Sequence, residues 1–435
     1  NGKNDIFEGK KIDEDQRNQA KNLMEVFPHT SPSVILSICE ENSWDMEATS
    51  ALLLEGKGSS QTQQQQQEES VSSHIGSSAS LSSRYELIKQ LNFDFEACVE
   101  MINFAQCDKP YAISYLISVN RKYLLFVTKQ QLFNKAMSDS NGSGDAGEIT
   151  VSRSKAMKFT GRGECDSSGL WSMFGQSFRI LHGMSPSLFR QNKEQLWRCL
   201  FAGERGHDAG GLYRELWSMF AAEIMSNALP LLLPCANSTA LFGQNRETFV
   251  LNPDSTSAEQ IQMFEFLGKL MGMAVRCANY LDIMISPMAW KMIVGEQVTL
   301  EDYMGVDASD SKSMKRLRGF KSEDEFLMSG YDDLTFTATS LGGTTVELHK
   351  HGRMQKVTWE TLPIYCGELE AYRLREMYVV AAAVRRGLST LLPPLMINLI
   401  KWKDLETMVC GNPNVDVELL KSATEYSSYS ERDNV

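Results

Sequence analysis

A thiolate is the strongest nucleophile that a side chain offers near neutral pH. The nine cysteines of this 435-residue sequence are therefore the first place to look for chemistry. They stand at positions 39, 98, 107, 165, 199, 235, 277, 366 and 410, and no two share C-x-x-C spacing, which removes the usual zinc and dithiol arrangements. Six histidines are scattered, and His207, His349 and His351 have no cysteine near them in the sequence. No Cys–His nucleophile pair can be assembled from spacing, and no cofactor or metal is expected. An odd, dispersed set of cysteines reads as reduced thiols inside a cell, which points to the cytoplasm with the nucleus also open.

Two loops imitate ligand sites. Gly203 to Gly211 follows a short bulky run, Leu196 to Ala202, that reads as a strand, and it precedes a helical pattern. A strand, glycine-rich loop and helix can cradle phosphate. Here the spacing fits neither nucleotide fingerprint, and Glu204 and Asp208 would repel phosphate. Asp208 is better placed to cap the helix that follows, with Gly210 and Gly211 allowing close packing. Asp139 to Gly144 opens like a calcium loop, but Thr150 stands where the bidentate glutamate should be.

The elements that must position any site divide the chain. Residues 1–15 read as a disordered tail; they are polar at the start, with no signal-peptide core and no initiator Met, as if trimmed at the front. Residues 16–56 carry helical apolar spacing and form a first small module. Residues 57–82 are a Gln/Ser-rich linker that cannot bury enough apolar surface to offset its chain entropy. Residues 83–121 form a second helical module, and 122–147 a second, Ser/Gly/Asp-rich linker. From 148 the sequence is continuous and globular. The net charge of -12 makes nucleic acid a poor partner. No apolar run is long enough to insert in a membrane.

Val26-Phe27-Pro28 and the late Leu53-Leu54 make the first module similar to a CUE domain, a three-helix ubiquitin-binding fold. Leu91-Asn92-Phe93 makes the second resemble a UBA domain, with Asn92 where that family has a loop glycine. The resemblance implies ubiquitin binding through Phe27, Pro28, Leu53, Leu54, Leu91 and Phe93. Read as residues alone, the same side chains could simply close two minimal cores.

Asp208-Ala-Gly-Gly211 with Arg214-Glu215, Phe249 to Pro253, Phe264 to Arg276, Asp333 to Phe336, Val409-Cys-Gly411 and Thr424-Glu-Tyr426 occur in order over residues 148–426. Together they resemble the N-terminal lobe of HECT-type ubiquitin ligases, closest in wording to giant HERC-like or HECT-only members. The implied fold is mainly α with minor β (α+β): a HECT N-lobe with a small α/β subdomain at 298–365, plus two three-helix bundles on flexible linkers. The resemblance implies that this subdomain docks a ubiquitin-conjugating enzyme in an exposed apolar groove at Leu317, Phe320, Leu327, Tyr331 and Tyr365. Arg318 falls where the family often has a second leucine. HECT ligases pass ubiquitin through a cysteine in a Thr-Cys context in a C-terminal lobe. Residues 427–435 resemble the start of that lobe, cut short, and no Thr-Cys pair occurs. No catalytic residue is therefore expected in this chain. Its partners are expected to be a ubiquitin-conjugating enzyme, ubiquitin and an unknown protein substrate. Two readings stay open: part of a ligase, or a non-catalytic adaptor that binds ubiquitin and its conjugating enzyme.

Overall fold

The computed structural model describes residues 16, 19, 20, 35, 36, 39, 78–104, 117, 119–204, 206, 208–331, 333–412 and 417–424. The chain divides into two units, 1–87 and 88–435. In the first, the described residues 16, 19, 20, 35, 36 and 39 are helical, and Ala20, Ile35, Leu36 and Cys39 are buried. Phe27, Pro28, Leu53 and Leu54 lie outside the described residues, as do positions 57–77 of the expected linker.

The second unit is mainly helical. Among its described residues the strands form three isolated pairs: β1 (Glu148–Val151) parallel to β2 (Arg198–Phe201), β3 (Leu232–Pro234) antiparallel to β4 (Phe249–Leu251), and β5 (Thr337–Thr339) antiparallel to β6 (Thr345–Glu347). Among the described residues, no helix is long and apolar enough to cross a membrane.

Two expectations for the front of this unit are overturned. The helix α1 (Ser78–Cys98) begins inside the expected linker and runs straight through Leu91-Asn92-Phe93, so those residues are not a loop. Without a glycine nothing there ends the helix. Asn92 is buried instead: its Nδ2 donates to Tyr123 O (3.0 Å) and its Oδ1 accepts from Leu125 N (2.7 Å). Positions 105–116 and 118, which the expected three-helix bundle needs, lie outside the described residues. The segment 122–147, expected as a linker, contains helix α2 (Phe126–Asp139). Thr128, Leu132 and Ala136 recur every fourth residue and form its buried stripe. That stripe packs with Val99, Ile102, Phe104 and with Leu395, Met396 and Leu399. The Ser/Gly run after α2 is pinned too, Gly142 N donating to Arg190 O (2.8 Å).

The glycine-rich loop joins a strand to a helix, as its residues suggest. Asp208 is buried and accepts from Cys199 N (2.8 Å) and Gln195 Nε2 (2.6 Å) on one side. On the other it accepts from Gly210 N (2.9 Å) and Tyr213 N (3.4 Å) in the first turn of helix α3 (Gly211–Ile224), whose N-cap is Gly210 rather than the expected Asp208. Its carboxylate thus staples a strand end to a helix start, and Gly210 turns at φ 99° between them.

The core is organised on helix α4 (Ala258–Cys277), which starts in a reciprocal Ser257/Gln260 capping box. Phe264, Phe266, Leu267, Leu270, Met271 and Met273 are all fully buried, so this helix is apolar around most of its girth, as a central helix must be. It crosses helix α5 (Tyr378–Ser389) at near backbone contact. A Cβ on Gly268 would stand 1.9 Å from Val384 O, and one on Gly387 would stand 1.8 Å from Glu265 O. Arg276, near the end of α4, ties the periphery to this crossing. Its Nε donates to Leu391 O (2.7 Å) and its Nη2 to Ser140 Oγ (2.6 Å), just past α2.

Two outcomes follow for stability. Gly268→Ala should lower the unfolding free energy by about 1–3 kcal/mol or more, because neither backbone can retreat. Leu132→Ala should cost about 2–5 kcal/mol in a denaturant melt if α2 belongs to the folded body. A loss below about 0.5 kcal/mol would return that segment to linker status.

Candidate docking groove

The candidate site is built on helix α6 (Ala308–Gly319), capped by Asp307, whose Oδ1 accepts from Asp310 N (2.8 Å). Ala308, Ser311, Met314 and Leu317 form its buried face, while Lys315, Arg316 and Arg318 lie on the exposed one. The chain turns out at Phe320 into the short helix α7 (Glu323–Met328). Ser322 caps that helix, and three carboxylates occupy its first turn, where the helix dipole favours them. Helix α7 buries Phe326 and leaves Leu327 (52 %) and Met328 (87 %) exposed.

Phe320 lies at the junction of two depressions. One, of about 310 Å³, is lined by Leu317, Arg318, Phe320, Trp359, Leu362, Pro363 and Cys366. The other, of about 580 Å³, is lined by Arg316, Gly319, Phe320, Glu325, Met328 and Ser329. The Phe320 ring rests edge-on against Phe326 (6.0 Å between centroids) and tilts against Tyr331 (6.2 Å). The far wall is the start of helix α8 (Leu362–Arg373), with Pro363 in its first turn, where a missing N–H costs nothing.

A polar lattice fixes α8 beneath the β5–β6 hairpin. Arg373 Nε meets Asp310 Oδ2 (2.9 Å), and its Nη1 donates to Thr339 O (2.8 Å) and reaches Glu376 Oε2 (3.1 Å). Tyr303 donates its hydroxyl to Asp310 Oδ2 (2.7 Å), and Glu376 accepts from Leu341 N. Burial pushes the Glu376 carboxyl above its ordinary range despite these donors. At the foot of the hairpin, His349 tilts over Phe336 (4.6 Å) and its Nδ1 lies 2.7 Å from Glu368 of α8. The hydrogen bond to Glu368 raises the imidazole pKa above its usual value.

The five expected groove residues do not share one fate. Phe320 and Leu317 line the first depression, and Tyr331 supports Phe320 while half-buried. Leu327 is exposed but lines neither depression. Tyr365 is a correction: it is buried, packs edge-on against Phe336 (5.7 Å) and directs its hydroxyl toward Thr337 O (3.5 Å). It is a post under the hairpin, not a wall of an open trough. Leu317 and Phe320 also depart from the expected exposure: Leu317 belongs to the buried stripe of α6, and Phe320 is only 9% exposed. Trp359, Leu362, Pro363 and Met328 were missed. Their signal was a proline-started helix one turn from the candidate aromatic, but only the fold shows which of its faces meets α6. In the second expected module Leu91 is half-buried and Phe93 exposed.

Among the described residues, Cys39, Cys199, Cys235, Cys277 and Cys366 are buried, Cys410 is half-buried, and Cys98 and Cys165 are exposed. Burial pushes Cys199 up to about 12 and Cys277 and Cys410 up to about 11, and it also raises Cys165 and Cys366. Cys235 is sealed and donates to Asn245 O (3.1 Å). Among the described residues, no group of three His, Cys, Asp or Glu side chains could hold a metal ion.

Comparison with known proteins supplies the context for this groove. Residues 220–435 match the HECT-domain (ubiquitin-transferase) family, and residues 16–57 match the CUE domain. The sequence is 32% identical over 285 residues to the E3 ubiquitin-protein ligase HERC2 of Mus musculus, covering 64% of this chain and 6% of that protein. It is 30% identical over 264 residues to the E3 ubiquitin-protein ligase RSP5 of Chaetomium thermophilum, covering 59% of this chain and 31% of that protein. It is 29% identical over 242 residues to the E3 ubiquitin-protein ligase UPL2 of Arabidopsis thaliana, covering 53% of this chain and 6% of that protein. The chain thus spans a small part of the length of these relatives.

The His349–Glu368 contact has a definite pH signature. A raised imidazole pKa in the folded state stabilises the hairpin fully below the ordinary value near 6.5 and is lost as pH rises through the folded value. Proton NMR should place the His349 midpoint above 6.5, and Glu368→Gln should return it toward that value.

Proposed function

We propose, from the premise that this chain belongs to the HECT family of ubiquitin ligases and carries a CUE domain, that its groove around Phe320 seats a ubiquitin-conjugating enzyme. The CUE domain then binds ubiquitin. The observation that carries the groove assignment is the position of Phe320. It is shared by two adjoining depressions and is backed by Phe326 and Tyr331, so a partner's apolar anchor meets a supported aromatic edge. Buried aromatic anchors of this kind dominate interface energies, whereas the surrounding contacts mainly exclude water.

The chain's part in transfer is to hold and orient. Burial raises the Cys199, Cys277, Cys366 and Cys410 thiols and that of the more exposed Cys165, which makes each a poorer acceptor of ubiquitin by thioester exchange, while Cys235 is sealed in the core and Cys98 is exposed. In this reading the transferring cysteine is supplied from elsewhere in the ligase, and the lobe brings the charged conjugating enzyme to it. The acceptor protein is not specified by any feature of the groove.

The test is a titration of the full chain with a ubiquitin-conjugating enzyme, followed by calorimetry. Phe320→Ala should weaken binding by about 2 kcal/mol, roughly thirty-fold, while the far-ultraviolet spectrum stays unchanged. Equal affinity of wild type and variant would overturn the assignment.

A further inference from the structure

The first depression is apolar apart from one charged side chain, Arg318. Its Nη2 donates to Glu370 Oε2 at 2.6 Å, and Glu370 lies one turn beyond Cys366 on the helix that forms the far wall. The pair is lopsided. The Arg318 side chain is 52 % exposed and that of Glu370 only 17 %, so the guanidinium forms the outer edge of the pair and the carboxylate its inner one. A guanidinium has five N–H donors in a planar fork. Among the described residues, Glu370 is the hydrogen-bond partner of Arg318, and it engages one nitrogen. The half-exposed Arg318 side chain leaves the rest of its fork accessible to solvent. Arg316, two residues earlier, lines the second depression with its guanidinium 6.0 Å from the Tyr331 ring. Phe320 is therefore flanked by cations on both sides.

We propose that Arg318 makes the groove selective by charge: it favours conjugating enzymes whose docking loop presents a carboxylate next to the apolar anchor, and it disfavours those with a lysine or arginine there. The inference rests on the groove assignment above. Its physics is desolvation. When an anchor covers the depression, water leaves the Arg318–Glu370 pair and each charge is felt more strongly. A partner carboxylate then takes up the free edge of the fork in charge-assisted hydrogen bonds. A partner cation meets the outward positive edge before it can reach Glu370, and like-charge contact at an interface is costly. If Glu370 fully neutralised Arg318 toward the outside, the groove would ignore the partner's charge.

The experiment uses the full chain and one conjugating enzyme with Asp or Glu beside its docking residue, together with the Lys variant of that carboxylate. Wild type should bind the acidic form at least about ten-fold tighter than the Lys form. The preference should vanish in Arg318→Leu and invert in Arg318→Glu. Glu370→Gln, which leaves the cation in place, should enlarge it. The wild-type preference should also shrink with added salt, as for other charged rims. An unchanged preference across all three variants, with Phe320→Ala still weakening binding roughly thirty-fold, overturns the selectivity and leaves the groove standing. Binding indifferent to Phe320→Ala overturns both.

Discussion

Everything in the second unit hangs on how closely two helices approach. At Gly268 and Gly387 the backbones of α4 and α5 touch, each glycine sitting where the other helix's carbonyl leaves no room for a methyl group. Such contact fixes both the crossing and the register of the pair, because sliding either helix by one residue would drive a side chain into a carbonyl. The aromatic cluster of Phe174, Phe178 and Phe266 then packs on one flank of α4, with Phe174 and Phe266 edge-on at 5.2 Å. The crossing is what lets an apolar helix with a buried Lys269 and Arg276 remain tightly enclosed. Both cations reach backbone oxygens at the helix margin, where carbonyl dipoles offset the cost of burying a charge.

The groove is held by different means. Its floor depends on charged and polar groups, Arg373 above all, that join α6, α8 and the hairpin through side-chain and carbonyl contacts. A polar lattice is directional, so it specifies where α8 lies relative to α6 more narrowly than apolar packing would. This separates two tasks. The helix crossing supplies the mass of buried surface, and the Arg373 lattice ties α6, α8 and the hairpin to one another.

Much of this was legible in the residues, and the failures share a cause. The bulky run before Gly203 and the glycine pair at 210–211 follow from local chemistry: the first forms β2 and the second opens α3, although Gly210 rather than Asp208 is the N-cap. The residue string could not tell which of two neighbouring aromatic or apolar positions faces outward. Tyr365 and Leu317 were expected at a surface, but the helical phase of α8 and α6 turns both inward. Helix α2 was hidden because Ser138 to Gly147 dominated the composition of its neighbourhood, while its own stripe of Thr128, Leu132 and Ala136 is weakly apolar. Leu91-Asn92-Phe93 was read as a loop by family likeness, although nothing in those three residues breaks a helix. In each case the deciding partner lies far away in sequence, at Leu395 for α2 and at Phe336 for Tyr365.

That distance has a consequence for how the molecule comes into being. Leu132 shares its cluster with Leu399, so the stripe of α2 leaves the ribosome well before the residues that cover it have been made. At elongation rates of about 5–20 residues per second the delay is on the order of ten seconds or more. Throughout it, a nascent chain carries an uncovered apolar strip next to an unfinished core. Synthesis of the segment around Leu395 to Leu399 therefore acts as a closing stitch for α2, and ribosome stalling before Pro394 would leave a product that attracts chaperones, whatever the quality of its groove.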